Sequence, residues 1–206
     1  LRNVFDLNGF HRDARWTLAN LQESEGKLQP AFSQLLRLVQ QYPEDVDAQI
    51  MLLRIALELR NWELIDDHSQ AAQALAPEDP IVQSAQLLLG YRDATAERDL
   101  TTAVALAEDA KALLSKTPQL YVVRSLVVDN HIRRQEWDLA LTEVDAALAL
   151  RPTDRSMHRL RLGVLDQQRD DAGVEVNVMA MTEIFTEDEQ IQQQLVAWYV
   201  SRAEVG

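Results

Sequence analysis

The chain has 206 residues, of which 47% are hydrophobic and 26% charged, and its formal net charge at pH 7 is −13. This charge argues against non-specific binding to nucleic acid and against docking on anionic lipid, because both need a basic surface. It keeps the chain soluble or, alternatively, offers an acidic face to a basic partner. The chain has no cysteine, which excludes disulfides, thiolate zinc sites and a cysteine nucleophile. No apolar run of about 18 residues occurs, so no membrane insertion is expected.

Glycine and proline are scarce, with six of each, whereas Leu, Ala, Gln, Glu and Arg are prominent. The prominent residues favour helices. Apolar side chains also recur at the i, i+3, i+4, i+7 spacing of one helix face. Composition and spacing together predict an all-α chain.

Four prolines divide the chain into units of similar length: Pro43, Pro77, Pro118 and Pro152. The first two are 34 residues apart and so are the last two, whereas 41 residues separate the middle pair. A repeat of this length that contains two helical patterns predicts one helix hairpin per unit. Residues 119–152 show this most clearly, with helices predicted over Leu120–Arg133 and Trp137–Leu150 and a turn at Gln135–Glu136.

The predicted elements follow this period along the chain, and the whole chain, 1–206, is predicted to form one domain. Residues 1–9 are predicted to end a second helix. Five repeats and one last helix follow, at residues 10–43, 44–77, 78–118, 119–152, 153–186 and 187–206. The third repeat is seven residues longer than the others, and we expect the extra length around Gly90–Asp99. Gly173 and the alternating run Val174–Val178 make the second helix of the fifth repeat the least regular.

Small residues recur at one place in the second helices, Ala31 and Ala140, and Gly26 lies in the first turn between helices. With the 34-residue period and the prolines at 43, 77 and 152, these residues resemble the tetratricopeptide repeat family. The resemblance implies a right-handed superhelical solenoid of antiparallel helix hairpins, whose first helices line a concave groove. The leading segment LRNVFDLNGFHRDAR is similar to bacterial cell-envelope proteins of that family. This implies a role in assembly or export at the envelope. The lack of cysteine does not fix the compartment, so the cytoplasm and the periplasm both stay open, the periplasm with an upstream lipid anchor.

The sequence contains no motif for catalysis or for a cofactor. The glycines stand singly, so no phosphate-binding loop is visible, and no zinc-protease or serine-nucleophile motif occurs. The carboxylate pairs Asp66-Asp67 and Asp170-Asp171 lie near helix starts, where acids favour the helix dipole. Among the histidines, we expect His131 in the core or the groove and consider His158 for the groove. We therefore predict no catalytic residue, no cofactor, no metal site and no enzymatic activity.

The resemblance also implies which side chains bind a partner, because ligands of the family contact fixed positions of the first helices. The matching residues with suitable chemistry are Trp16, Asn20, Ile50, Met51, Arg54 and Arg159. Trp16, Ile50 and Met51 suit the apolar side of a helix or an extended peptide, or alternatively they pack between repeats. The two arginines are expected to anchor an acidic group of the partner.

Two functions remain open from the sequence. The first is a non-catalytic protein–protein interaction scaffold that holds a partner peptide or helix in its groove. The alternative is a regulatory or docking domain of a larger enzyme. Apolar residues lie near both ends of the chain: Leu1, Val4, Phe5, Leu7, Leu195, Val196, Trp198 and Tyr199. They predict either further repeats or a homo-oligomer formed through the end helices.

Overall fold

The computed structural model describes residues 11–203, and all regular secondary structure in that range is α-helical. The helices are α1 (Arg12–Ser24), α2 (Leu28–Gln41), α3 (Val46–Glu58), α4 (Trp62–Leu75), α5 (Pro80–Ala96), α6 (Leu100–Lys116), α7 (Tyr121–Arg133), α8 (Trp137–Leu150), α9 (Arg155–Gln167), α10 (Asp171–Ile184) and α11 (Glu189–Ala203). The predicted all-α fold is therefore confirmed. The helix tail and apolar stripe predicted for residues 1–9 lie outside the described residues. Across residues 11–203, no helix has both the length and the apolar character to cross a membrane.

The helices form two compact units, one reaching Val123 and the other starting at Arg124. In the first unit the hairpins are α1 with α2, α3 with α4, and α5 with α6, and they are stacked through contacts of α2 with α3, α4 with α5 and α3 with α5. In the second unit α9 packs against both α8 and α10, and α10 packs on α11. Each unit is therefore a stack of helix hairpins. The single domain expected over residues 1–206 stays a prediction.

One side of the second helices is buried in several repeats. Ala31, Ile65 and Ala140, which occupy the same place in their repeats, are all fully buried. The same holds seven residues later, for Leu38, Ala72 and Ala147. Because residues seven apart lie on the same side of a helix, this side of each second helix faces the core.

The second helices end two residues before a proline. The final residues of α2, α4, α6 and α8 are Gln41, Leu75, Lys116 and Leu150. The next residue has left the helix, as at Ala76 with φ −145° and ψ 64°, because the proline ring disfavours helical dihedrals in the residue before it. Asp45 and Asp79 then accept hydrogen bonds from the backbone N–H groups of Ala48 and Ile81. Pro-Glu-Asp therefore ends one helix and caps the next at both places.

The turn inside each hairpin contains one residue with positive φ. It is Gly26 in the first hairpin, with φ 72°, and the later ones use residues with φ between 51° and 62°: Arg60, Arg98, Gln135 and Arg169. Glycine adopts this conformation freely, whereas it costs other L-residues roughly 1 kcal/mol. The sequence indicated the turns at Gly26 and Gln135, but an arginine at such a position carries no comparable signal.

The longer third repeat has two longer helices. α5 and α6 have 17 residues each, whereas α3 has 13 and α4 has 14. The extra length predicted around Gly90–Asp99 is therefore helical and is shared by both helices. All residues from 96 to 102, at the tip of this hairpin, are exposed.

The irregular sequence around Gly173 forms an unbroken helix, α10. Asp170 caps it by accepting a hydrogen bond from the Gly173 N–H at 2.9 Å. Val174 and Val178 lie one turn apart and are fully buried, whereas Val176 lies on the opposite, exposed side. The alternation of valines therefore reflects two sides of a helix and not a strand.

Candidate functional site

Three residues line one side of α1: Trp16 and Asn20, which were predicted to bind a partner, and Glu23. Trp16 is partly buried, and the guanidinium carbon of Arg12 lies 6.0 Å from the centroid of its indole ring. Asn20 is exposed one turn later, and its Nδ2 donates to the Trp16 carbonyl at 2.8 Å. Glu23 follows at the next turn of the same side. This side of α1 therefore presents an aromatic ring, an amide and a carboxylate in sequence.

The predicted residues of α3 divide between surface and core. Ile50 and Arg54 lie one turn apart on the same side of the helix and are partly exposed. Met51 is only 4% exposed and is buried like Leu52 and Leu53, which follow it in the helix. Its side chain therefore belongs to the core and does not form the surface.

An ion pair joins the two helices. The Arg54 guanidinium binds the Glu23 carboxylate, and the two side chains are 39% and 21% exposed. We call the surface formed by Trp16, Asn20, Glu23, Ile50 and Arg54 the α1–α3 face. Glu23 was not predicted from the sequence, although its spacing of three residues after Asn20 places it on the same side of α1.

A cleft adjoins α1 at the loop between the first two repeats. It has a volume of about 580 Å³ and is lined by Arg12 and by residues 41–46. Arg12 also contacts Trp16 and forms an ion pair with Asp45, with Nε 2.6 Å from Oδ2. The position of Arg12 is therefore fixed by an aromatic ring on one side and a carboxylate on the other.

Arg159 belongs to the second unit, on α9. It is exposed, as are Ser156 and Gly163 on the same side of that helix. A Cβ atom added at Gly163 would meet no atom within 4 Å. Arg159 therefore lies beside an open strip of helix surface.

The two histidines considered for the groove are both buried. His131 Nδ1 lies 2.6 Å from Glu136 Oε2, and Arg134 binds the other oxygen of that carboxylate at 2.7 Å. His158 does not face a groove, which corrects the expectation from sequence. Its Nε2 lies 2.8 Å from the carbonyl oxygen of Pro152, where it acts as the donor. Both histidines therefore have structural partners.

The hydrogen bond of His158 to a loop carbonyl recurs at the same position of other repeats. Gln49 Nε2 donates to the Pro43 carbonyl at 3.0 Å, and Gln192 Nε2 donates to the Phe185 carbonyl at 2.9 Å. In each case a residue in the first helix of one repeat binds a carbonyl in the loop before it. These contacts satisfy backbone oxygens that the end of the preceding helix leaves without an intrahelical donor.

The pairs Asp66-Asp67 and Asp170-Asp171 each contain an aspartate with a structural role. Asp66 accepts two hydrogen bonds from Arg92, at 2.9 and 3.2 Å. Asp170 caps α10. Within residues 11–203, no group of three or more His, Asp or Glu side chains is arranged to hold a metal ion.

Comparisons with known proteins identify the fold. No family model matches the sequence, and no curated protein matches it. Among solved structures, a chain of the APC/C hetero-tetramer Cut9–Hcn1 superposes with a TM-score of 0.68 at 16% identity, over 94% of this chain and 37% of that one. A thermophilic TPR protein of Thermus thermophilus gives a TM-score of 0.63 at 16% identity, over 92% of this chain and all of that one.

A tetratricopeptide repeat protein from Parabacteroides merdae gives a TM-score of 0.61 at 11% identity, over 94% of this chain and 73% of that one. This chain thus spans little more than a third of the Cut9–Hcn1 chain that it resembles. Structural similarity at sequence identities this low shows the fold alone. The hairpins of both units and these similarities together show that the chain has the tetratricopeptide-repeat fold.

Proposed function

We propose that this tetratricopeptide-repeat fold is a non-catalytic scaffold for protein interaction, and that the α1–α3 face holds a peptide or helix of a partner protein. The observation that carries the proposal is the composition of this face. Trp16 and Ile50 offer apolar contact, and Arg54 adds a charge at one end. A buried aromatic or arginine anchor surrounded by weaker contacts is the usual energetic pattern of a binding surface.

Each side chain has a defined task in this proposal. The indole of Trp16 and the side chain of Ile50 cover an apolar residue of the partner. Asn20 uses its amide nitrogen on the Trp16 carbonyl, so its amide oxygen is offered to a donor of the partner. Arg54 binds a carboxylate of the partner in exchange for, or together with, that of Glu23. Met51 is buried in the core and has no contact with the partner in this proposal.

Arg159 is proposed as a separate anchor for an acidic group. It is exposed beside the open strip at Gly163, and a planar guanidinium suits a carboxylate better than an ammonium group does. Substituting Arg159→Lys keeps the charge but removes bidentate binding, so we expect it to weaken partner binding nearly as much as Arg159→Ala.

The experiment is affinity capture from a lysate of the source organism with the wild-type chain and two double variants. Trp16→Ala/Arg54→Ala alters the α1–α3 face. The matched control is Trp62→Ala/Arg92→Ala, which removes a tryptophan from α4 and an arginine from α5. The guanidinium carbon of Arg92 lies 5.5 Å from the centroid of the Trp62 ring. We expect recovery of a partner to fall about tenfold or more with the first variant and to stay at the wild-type level with the control.

Two results would contradict the proposal. One is a partner that both variants retain equally, and the other is a partner lost equally from both. Thermal unfolding of each variant accompanies the capture, since a variant that melts early would lose its partner for another reason.

The envelope setting is proposed from the similarity of the leading segment alone. We propose that the scaffold serves assembly or export at a bacterial envelope. Fractionation of cells that carry a tag at the native locus tests this: recovery with membranes or periplasm supports it, and recovery only in the cytosol contradicts it. An enzymatic region found in the same full-length chain would favour the alternative, a regulatory or docking domain of a larger enzyme.

Self-association through the end helices is a further proposal. Within the described residues it is supported by α11, where Val196, Tyr199 and Val200 are exposed on one side. Sedimentation of the wild type and of Val196→Gln/Val200→Gln tests it, because only the wild type should associate.

A further inference from the structure

The outward side of α10 combines exposed apolar and acidic residues. Val176 is 63% exposed and Met179 is 52% exposed. Around the same side of the helix lie Asp171, Ala172, Glu175 and Glu183, all exposed. We call these six residues the α10 outer face.

The helix geometry places these residues together. At about 100° per residue, the six side chains fall within an arc of roughly 140°, with Met179 between Glu175 and Glu183 and Val176 at one edge. Val174, Val178 and Met181 lie outside this arc and are buried. The acidic and apolar residues of α10 therefore form one continuous surface, separate from the side that packs on α9 and α11.

The charge of this surface has one sign. The helix Asp171–Ile184 contains three acids and no lysine or arginine. A surface with acids and no cation of its own helix complements a basic partner.

The valine at position 176 is unfavourable for an isolated exposed helix. A β-branched side chain loses rotamer freedom in a helix, so valine is a poorer helix former than alanine. Methionine, in contrast, is unbranched and adapts its shape to a variable partner surface. Exposed Val176 and Met179 thus supply apolar contact at a local cost, in a position that the packing of the unit does not require.

We propose that the α10 outer face docks a basic amphipathic segment, such as a helix with apolar residues at i and i+3 or i+4 flanked by Lys or Arg. Val176 and Met179 contact the apolar side chains, while Glu175 and Glu183 bind the flanking cations. This surface is distinct from the α1–α3 face, because it lies in the second unit, on a second helix, and selects the opposite charge. It would stand even if the α1–α3 face bound nothing.

The probe for this surface is a monomeric helical peptide of Leu and Lys with one apolar side. A peptide of the same length, with every Lys replaced by Glu, tests the charge requirement. Binding is measured by titration calorimetry, and the contact is mapped by amide chemical shifts of the labelled full chain. We expect the Lys peptide to shift amides in α10, to bind more weakly as salt is raised from about 50 mM to about 500 mM, and the Glu peptide not to bind.

Two double variants separate this surface from exposed apolar residues in general. Val176→Gln/Met179→Gln should weaken binding of the Lys peptide roughly tenfold or more. Leu139→Gln/Leu150→Gln, on α8, removes side chains that are 50% and 43% exposed and should leave the affinity unchanged. Glu175→Gln/Glu183→Gln should weaken binding and flatten its salt dependence.

Several outcomes overturn the proposal. They are no binding of the Lys peptide, equal binding of the Glu peptide, shifts outside α10, or an equal loss in the α8 control. A dimer in sedimentation that Val176→Gln/Met179→Gln abolishes would also overturn it, since the occupant would then be a second copy. Circular dichroism melts of the variants establish that the comparison is between folded chains.

Discussion

Arg12 Nε lies 2.6 Å from Oδ2 of Asp45, the residue that caps the first helix of the following repeat. The other oxygen of Asp45 accepts the Ala48 N–H at 3.2 Å. Arg155 and Asp188 repeat the pair in the second unit, at 3.3 Å and with the same sequence separation of 33 residues. One carboxylate in each pair therefore starts a helix and binds the preceding repeat.

The two members of the first pair should differ in their effect on stability. Asp45→Ala removes both the cap and the ion pair, and we expect it to lower the free energy of unfolding by about 1–2 kcal/mol. Arg12→Ala should cost under about 1 kcal/mol, because the arginine side chain is 40% exposed and solvent screens the pair. Urea unfolding measures both. Asp13→Ala, at a side chain that is 75% exposed, is the near-neutral control, and an Arg12→Ala cost equal to that of Asp45→Ala would contradict this account.

The repeat also predicts which residue can replace His158. Glutamine performs the same contact with a loop carbonyl at Gln49 and Gln192. We therefore expect His158→Gln to change the free energy of unfolding by under about 1 kcal/mol. His158→Ala should cost about 1–3 kcal/mol, because it removes a partly buried hydrogen bond to the Pro152 carbonyl and opens a cavity beside Phe185. Chemical unfolding separates the two, and equal costs would argue against a role for the hydrogen bond.

Two helical glycines should respond to alanine with opposite signs. At Gly173 a Cβ atom would lie 2.3 Å from Asp170 Oδ2 and 2.9 Å from Leu165 Cδ2. We expect Gly173→Ala to displace the cap and destabilise the chain by roughly 1 kcal/mol, despite the better helix propensity of alanine. At Gly163 the space is open, so Gly163→Ala should stabilise by up to about 1 kcal/mol. Thermal melts of both variants measure the signs, and stabilisation by Gly173→Ala would refute the steric argument.

His68 should make stability depend on pH. It is partly buried on α4, edge-on to Phe32 with ring centroids 6.1 Å apart. Burial lowers the pKa of His68 below its ordinary value, although nearby Asp67 acts in the opposite direction. The unfolded chain therefore takes up the proton at about pH 6.5, before the folded chain does, so stability is full above that pH and falls as the pH decreases through it.

The comparison of urea midpoints at about pH 7.5 and about pH 5.5 isolates this contribution. His68→Gln should lose less stability over that interval than the wild type, since glutamine does not titrate. Gln70→Ala, at an exposed residue of the same helix that does not titrate, is the control and should keep the pH dependence of the wild type. If His68→Gln kept the full pH dependence of the wild type, another group would have to carry it.

The helices were predictable because their signals are local. Apolar spacing identifies the buried side of each helix, and a proline excludes helical dihedrals from the residue before it. The second helix predicted at Trp137–Leu150 is observed as α8, with the same bounds. Arg60 and Arg98 show the limit of such signals, because stacking of the adjacent helices holds a turn that the residue itself disfavours.

The candidate surface was less predictable because exposure depends on packing between helices. Ile50 and Met51 are neighbours of similar hydrophobicity, but they point about 100° apart, and only the position of the adjoining helices decides which one is buried. Glu23 was not predictable for a different reason. Its pairing with Arg54 joins residues 31 positions apart in the chain, a relationship that no local pattern encodes.

The lengths of α5 and α6 limit which insertions and deletions this chain tolerates. α5 exceeds α3 by four residues and α6 exceeds α4 by three, each close to one turn of about 3.6 residues. Four added residues rotate the following part of a helix by only about 40°, and three rotate it by about 60° in the other direction. A single added residue would rotate it by about 100° and carry the buried Leu88 side of α5 toward solvent. Gene variants that change helix length by whole turns should therefore fold, whereas changes of one or two residues should not.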